Sequence, residues 1–157
     1  MEQKHLIEVA FSDKSLDALG EATKHDINDD LGIASVEAIN TTELYYFETS
    51  LVEEKIREIT EKVFIDPLIQ KYSLDKDIYT DYNYCIEVKF NADVTDNVGM
   101  VAEEAIKDFT GKKEGNIRTA KRFYLHGALT KEETERIASE LLANDVIEKY
   151  SIKEGKK

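Results

Sequence analysis

The chain of 157 residues contains no tryptophan, one proline, one cysteine and seven glycines. A single cysteine, Cys85, cannot form a disulfide within the chain and fits a reducing cytosol. No apolar run approaches the roughly 18 to 20 residues of a membrane span, and the N-terminus lacks the basic and apolar regions of a signal peptide. These absences predict a cytoplasmic protein, with no membrane partner and with most residues in regular helices and strands.

Positive charge is scarce, since 21 Lys and Arg stand against 33 Asp and Glu for a formal net charge of −12. The acidic residues are spread along the chain, so we expect no surface that follows nucleic-acid phosphates. Charged residues make up 34% of the chain and apolar residues 41%, which is typical of a folded globular protein. Residues 1–79 carry a net charge of −10 and the remaining residues −2. Halves that differ in charge need not present the same surface to a partner, so this asymmetry indicates where to look for a contact surface.

Catalytic and metal-binding motifs are missing as well. The three histidines, His5, His25 and His126, lack the spacing of metal ligands, and no Ser or Cys lies in a nucleophile elbow. The segment Gly111-Lys-Lys-Glu-Gly115 lacks the pattern of a phosphate-binding loop. We therefore expect no catalytic residue, no cofactor and no metal, and we predict a module that contacts itself and partner proteins.

The chain contains the same pattern twice. Residues 6–32 align with 85–111 at an offset of 79, and residues 39–76 align with 117–154 at an offset of 78; the two alignments share 19 identities in 65 positions. Such self-similarity indicates a tandem duplication. We predict a first repeat at 1–78 and a second at 79–157, joined near 75–83 by a charged linker that does not swing freely.

Each repeat reads as strand, helix, strand, helix, strand. Period-two alternation places Ile7, Val9 and Phe11 on the core face of the first strand. One repeat alone buries little apolar area, so we expect the repeats to pack as an intrachain pseudo-dimer. Two long strands are predicted at 35–48 and 116–126, each long enough to bend or to be two strands around a bulge or turn. Two short closing strands are predicted at 68–72 and 146–150.

The first helix of each repeat has recognisable ends. Asp17 and Asp96 are predicted N-caps, and a glycine three residues later in each repeat predicts close packing of the first helical turn, since Gly costs about 1 kcal/mol relative to Ala inside a helix. Gly32 and Gly111 are predicted C-caps. Capping-box patterns at Ser50 and Thr130 open the second helices. The apolar stripe expected on the second repeat's first helix consists of Val98, Val101, Ala102, Ala105, Ile106 and Phe109.

A basic stretch opens the long strand of the second repeat, and it consists of Lys112, Lys113, Arg118, Lys121 and Arg122. It has two interpretations. The stretch binds an anion or a partner, or it complements the acidic first repeat within the chain. The second interpretation is favoured. No aromatic residues of an RNA-binding pattern accompany the charges, so nucleic acid is not an expected partner.

Each repeat also resembles the PurS family, the small subunit of phosphoribosylformylglycinamidine synthase. The residues that carry the resemblance are the helix entries Asp17-Ala-Leu-Gly20 and Asp96-Asn-Val-Gly99, the helix end Leu31-Gly32, and the closing stretches at 64–72 and 142–150. The segment Val94-Thr-Asp-Asn-Val-Gly99 is similar to the second PurS-like unit at the N-terminus of the long, fused form of the synthase.

The resemblance implies an α+β fold, a tandem duplication of a ferredoxin-like related βαββαβ unit with helices on one side of antiparallel sheets. It implies a bridging role in de novo purine biosynthesis, without catalytic residues of its own. In that step an ATP-using synthetase converts formylglycinamide ribonucleotide to formylglycinamidine ribonucleotide with ammonia that a glutaminase releases from glutamine. The implied partners are these two components, with self-association as a further expectation, because single-unit family members dimerise.

A different class of function also stays open at this point. Tandem ferredoxin-like units can form a small-molecule-sensing module, in which an anionic metabolite would bind between the copies. The basic stretch at 112–122 would then hold the anion.

Overall fold

Six strands and four helices follow one another in the predicted order in the computed structural model, which describes residues 1–156. The first repeat contains β1 (Gln3–Phe11), α1 (Ala18–Leu31), β2 (Val36–Thr49), α2 (Glu53–Ile59) and β3 (Gln70–Leu74). The second repeat contains β4 (Tyr84–Phe90), α3 (Asn97–Thr110), β5 (Gly115–Gly127), α4 (Lys131–Arg136) and β6 (Glu148–Glu154). None of the helices within residues 1–156 combines the length and the apolar character that crossing a membrane requires.

The strands form a six-stranded sheet in the order β3-β1-β2-β5-β4-β6. Strand β1 pairs antiparallel with β2 and β3, and β4 pairs antiparallel with β6. The fold is therefore α+β, as predicted, and its two repeats fit a duplicated βαββαβ unit in which the two middle strands run on as one. The long middle segment of each repeat is one continuous strand, β2 or β5.

The second helix of each repeat ends in a wider π-helical turn. Helix α2 continues through Thr60–Phe64, and the backbone N–H of Ile65 donates to the carbonyl of Thr60, 3.2 Å away. Helix α4 continues in the same way through Ile137–Leu142. Because both repeats have this turn at the same place, it belongs to the duplicated unit.

Contacts divide the chain into two compact units that do not coincide with the sequence repeats. The first compact unit consists of Met1–Ser12, Glu43–Ile78 and Thr95–Ala120, and the second consists of Asp13–Thr42, Tyr79–Val94 and Lys121–Lys157. Helix α1 of the first repeat thus belongs to the second compact unit, and α3 of the second repeat belongs to the first. The assignment of residues 1–78 and 79–157 as two domains stays a prediction.

Each hydrophobic core accordingly contains residues of both repeats. The core of the first compact unit comprises Ile7, Val9, Phe47, Ile56, Ile59, Leu74, Ala102, Ile106 and Ile117. The core of the second comprises Ile27, Ile33, Val36, Ile39, Ile86, Val88, Phe123, Leu125, Leu129, Ile137 and Ala138. An amphipathic helix is stabilised chiefly by burying its apolar face, and α1 and α3 each bury theirs in a core that includes strands of the other repeat.

The predicted strand boundaries need two corrections. The closing strands β3 and β6 begin two residues later than predicted, because residues 67–69 and 145–147 form turns. In β1 the residues of the second face, Glu8 and Ala10, are buried like Ile7 and Val9, whereas Phe11 is only half-buried. Both faces of this strand are covered, so alternation identified only one of them.

The helix ends confirm most of the predicted signals. Gly32 and Gly111 end α1 and α3 in the left-handed conformation, with φ of 67° and 91°. Thr130 forms the predicted capping box with Glu133. The equivalent prediction at Ser50 was wrong, because α2 begins two residues later, with Val52 at its N-cap and no side-chain cap.

Candidate functional site

The start of α1 is held to β2 by one buried carboxylate. Asp17 is 7% exposed, and its Oδ1 accepts a hydrogen bond from the backbone N–H of Gly20 at 2.9 Å, which confirms the predicted N-cap. The same carboxylate accepts from the hydroxyl and from the backbone N–H of Thr41, both at 2.6 Å. Hydrogen bonds to a charged group are stronger than neutral ones, so this cluster fixes the helix entry on the strand.

The second repeat contains the same cluster in its own copy. Asp96 is 3% exposed and accepts from the backbone N–H of Gly99 at 2.8 Å. It also accepts from the backbone N–H of Thr119 at 2.6 Å and from its hydroxyl at 2.9 Å. We call each set of Asp, Gly and Thr an aspartate clasp. The sequence pattern did not indicate a role for Thr41 and Thr119, although they are one of the identical pairs in the repeat alignment.

The glycine of each clasp lies against a backbone carbonyl. A Cβ on Gly20 would collide with the carbonyl oxygen of Ile39, and one on Gly99 would lie 2.5 Å from that of Ile117. These distances confirm the predicted close packing, since real Cβ atoms do not approach oxygen so closely. The clasps are structural elements that position α1 and α3.

The linker is tied down along its length. The buried carboxylate of Glu8 accepts from the backbone N–H of Ile78 at 3.0 Å, within the first compact unit. In the second compact unit, the backbone N–H of Asn83 donates to the carbonyl of Leu125 at 3.0 Å. The rings of Tyr79 and Tyr82 pack edge-on against Tyr124, each with centroids 5.2 Å apart. The linker is therefore part of the folded structure, as predicted.

Cys85 is buried in the same small cluster as Tyr82 and Tyr124. The residue is 6% exposed and is not part of a disulfide. A buried cysteine outside a disulfide behaves as a small apolar residue.

The basic stretch at 112–122 is not one continuous surface. Arg122 is largely buried and forms an ion pair with Glu87, with Nε and Oε1 2.9 Å apart. This pair joins two residues of the second repeat, and charge pairing between the repeats stays a prediction. Lys112, Lys113 and Lys121 are exposed.

The histidines lie in three different surroundings. His5 Nδ1 lies 2.8 Å from Asp75, and His25 Nδ1 lies 3.1 Å from Asp29 on the exposed side of α1. His126 is bonded to the side-chain oxygen of Asn40 at 2.9 Å. Within residues 1–156 no group of three or more His, Cys, Asp and Glu side chains is arranged to hold a metal ion.

A shallow depression lies beside α1 in the second compact unit. Its lining includes the carboxylates of Glu21 and Asp29 together with Lys24, His25 and Asn28. Two carboxylates outweigh the single lysine, so the local charge does not favour an anionic ligand at this place.

The predicted apolar stripe of α3 is only partly buried. Ala102 and Ile106 lie in the core of the first compact unit. By contrast, Val98, Val101 and Phe109 are 56%, 69% and 45% exposed. The sequence pattern identified the apolar side of the helix correctly but could not say how much of it the sheet covers.

Helix α1 lies in the second compact unit and α3 in the first. This exchange of helices between the repeats also redistributes charge. The first compact unit contains 10 Lys and Arg against 16 Asp and Glu, and the second contains 11 against 17, so each carries a net charge of −6. The strong asymmetry between the two halves of the sequence therefore does not persist between the compact units, and total charge gives no basis for choosing one unit as the docking face.

Comparison with known proteins agrees with the resemblance. The family described as PurS, phosphoribosylformylglycinamidine (FGAM) synthase, matches the chain twice, at residues 4–77 and at residues 83–155. A search of curated proteins finds no match. The two matches together cover most of the chain and coincide with the two repeats that carry the aspartate clasps. The chain therefore belongs to the PurS family and contains two PurS units in tandem.

Proposed function

We propose that this protein is a non-catalytic structural component of FGAM synthase in the cytoplasm, which docks the synthetase and glutaminase components of that complex. The observation that carries the proposal is the double match to one FGAM synthase family in a single chain. In this role the chain supports glutamine- and ATP-dependent formation of formylglycinamidine ribonucleotide by holding the two components together.

A docking component has to present its surfaces in a fixed geometry. Ammonia released by a glutaminase escapes to water unless the glutaminase and the synthetase are held in register, so rigidity of the bridge contributes directly to turnover. Two features of the chain supply rigidity. The aspartate clasps fasten α1 and α3 at their starts, and each core includes a helix of the other repeat. Loosening either feature would therefore weaken coupling between the two components.

Reconstitution with the purified synthetase and glutaminase tests the proposal. Turnover is measured twice, with glutamine and with saturating ammonium chloride as the nitrogen source. Adding the chain is expected to raise glutamine-dependent turnover while ammonia-dependent turnover changes little, because free ammonia does not need the docked glutaminase. Equal glutamine-dependent turnover with and without the chain would overturn the proposal.

A further inference from the structure

Two equivalent turns present apolar side chains to solvent. The first tip is residues 66–69, before β3, and the second tip is residues 144–147, before β6. Leu68 of the first tip is 89% exposed, and the equivalent Val146 of the second tip is 77% exposed. Each is followed by a partly exposed isoleucine, Ile69 at 41% and Ile147 at 37%. The first tip lies in the first compact unit and the second tip in the second.

The first tip is rigid because five hydrogen bonds hold it. The side chain of Asp66 accepts a hydrogen bond from the backbone N–H of Leu68 at 3.0 Å. The backbone carbonyl of Asp66 accepts from the N–H groups of Ile69 and Gln70 at 3.1 and 2.8 Å. The backbone N–H of Asp66 donates to the side-chain oxygen of Gln70 at 2.8 Å. The carbonyl of Ile69 accepts from the N–H of Ser12 at 2.8 Å, which ties the tip to the end of β1.

The second tip repeats all five bonds with different side chains. The side-chain oxygen of Asn144 accepts a hydrogen bond from the backbone N–H of Val146 at 3.1 Å. The backbone carbonyl of Asn144 accepts from the N–H groups of Ile147 and Glu148 at 3.1 and 2.7 Å. The backbone N–H of Asn144 donates to the side-chain carboxylate of Glu148 at 2.9 Å. The backbone N–H of Asn91 donates to the carbonyl of Ile147 at 2.8 Å. The first tip uses Asp66 and Gln70 where the second uses Asn144 and Glu148, so the carboxylate and the amide have changed positions. The side-chain oxygen at each position still accepts the same hydrogen bond.

The apolar residue at the apex is not required by this hydrogen-bonding pattern. The bonds that involve Leu68 and Val146 use only their backbone N–H groups, so a polar residue at either position could form the same turn. The repeats are identical at only 19 of 65 aligned positions, and both still place an exposed aliphatic residue there. A rigid, exposed aliphatic residue binds a pocket with little loss of conformational entropy.

Each tip also carries an exposed carboxylate beside its apolar residue. Asp66 lies in the first tip and Asp145 in the second, and both are exposed. The chain as a whole has a net charge of −12, which favours a positively charged partner surface. The complementary surface is therefore an apolar pocket with basic residues at its rim.

We infer that the two tips are docking elements, and that Leu68 and Val146 insert into apolar, basic-rimmed pockets on another subunit of the synthase. The inference rests on the proposed function and names the residues that would carry it. Because each compact unit has one tip, the chain offers two attachment points of the same kind.

Binding measurements with the full chain test the inference. The probes are the purified synthetase and glutaminase components, titrated by calorimetry against wild type and the double variant L68S/V146S. Removal of both aliphatic side chains is expected to weaken binding to one component about tenfold or more, with an unchanged thermal midpoint. Val101→Ser on α3, which is 69% exposed in the wild type, is the matched control and is expected to bind like wild type. Asp145→Asn is expected to weaken binding by about two- to fivefold, most at low salt.

The outcomes separate the two proposals. If wild type binds a component and L68S/V146S binds it equally well, the tips are not docking elements, while the proposed function stands. If wild type binds neither component, the proposed function fails and the inference fails with it. Light scattering adds a third arm. If the double variant abolishes self-association of the chain and leaves component binding intact, the occupant is a second copy and the inference is overturned.

Discussion

Asp17 and Thr41 are joined by two hydrogen bonds of 2.6 Å, one from the backbone N–H of Thr41 and one from its hydroxyl, and both end on the buried carboxylate of Asp17. Because these residues lie 24 positions apart, the contact joins the entry of α1 to the middle of β2. Asp96 and Thr119 repeat the contact in the second repeat. This relationship makes a local N-cap part of the tertiary structure.

Replacing Asp17 with Ala is expected to lower the free energy of unfolding by about 2–4 kcal/mol, because the variant loses the cap and leaves buried donors of Thr41 and Gly20 unpaired. Urea unfolding followed by circular dichroism measures the loss. Asp13→Ala is the matched control, since Asp13 is an exposed cap that accepts from Ser15 at 2.9 Å; its cost is expected to be about 0.5–1 kcal/mol. Equal losses in the two variants would contradict a special role of the clasp.

Gly20→Ala is expected to destabilise the protein by about 2 kcal/mol or more, although the same change inside an ordinary helix stabilises it by about 1 kcal/mol. The added methyl group collides with the carbonyl oxygen of Ile39, which is backbone and cannot move aside alone. Gly32→Ala serves as a comparison, because Gly32 has φ of 67° but open space around it, and the strain there costs about 1–2 kcal/mol. A Gly20→Ala protein as stable as wild type in urea would disprove the close approach.

The Tyr45 phenol should titrate at unusually high pH. Its ring stacks on Phe64 with centroids 4.5 Å apart, and burial, with a smaller contribution from the charge of Glu43, raises its pKa to about 12. Ultraviolet titration of wild type against Tyr45→Phe should show one phenol ionising near pH 12, and the difference spectrum isolates it from the other tyrosines. A difference titration centred on pH 10 would contradict this expectation.

The same phenol makes stability fall at alkaline pH. Below pH 10 it is neutral in folded and unfolded chains alike, so it adds no pH dependence. Between pH 10 and about 12 the unfolded chain releases the proton while the folded chain keeps it, and the free energy of unfolding decreases. Urea midpoints measured across this window should therefore fall more steeply for wild type than for Tyr45→Phe.

A fragment of residues 1–78 is expected not to fold as a stable monomer. Its own core would lack Ala102, Ile106 and Ile117, and the core that contains the apolar face of α1 would keep β2 but lose β4 and β5. We expect an unfolded or self-associating fragment by light scattering and circular dichroism, and a stable complex when it is mixed with residues 79–157. A monomeric 1–78 fragment that unfolds cooperatively would show that the exchange of helices is dispensable.

The signals that sequence reasoning interpreted correctly are local. The N-cap aspartates, the C-cap glycines and the Thr130 capping box depend on residues within one helical turn, so a pattern of four or five residues suffices to find them. The prediction was wrong where a second local interaction replaced the expected motif. The segment at Ser50 matches the capping-box pattern, but β2 extends to Thr49, and the hydroxyl of Thr49 accepts from the N–H of Leu51 at 3.1 Å. Helix α2 therefore starts later.

The candidate docking residues were placed in the wrong element for a similar reason. The predicted closing strands begin at Leu68 and Val146, two residues before the observed strands β3 and β6. The side chains of Asp66 and Asn144 instead hold these segments as turns, and no hydrophobic pattern records such bonds.

The sequence by itself determined that the protein is a duplicated PurS unit, the order of its strands and helices, and where most helices begin and end, because these follow from repeats, caps and turns within short stretches. Only the tertiary structure decided which sheet strands each helix covers. Helices α1 and α3 carry the same capping residues and an apolar face on the same side, so either could pack on the strands of its own repeat. Long-range burial made the choice: the core that contains α1 adds β4 and β5 to β2, and the core that contains α3 adds β1, β2 and β3 to β5. That arrangement gives each compact unit a charge of −6 although the halves of the sequence carry −10 and −2.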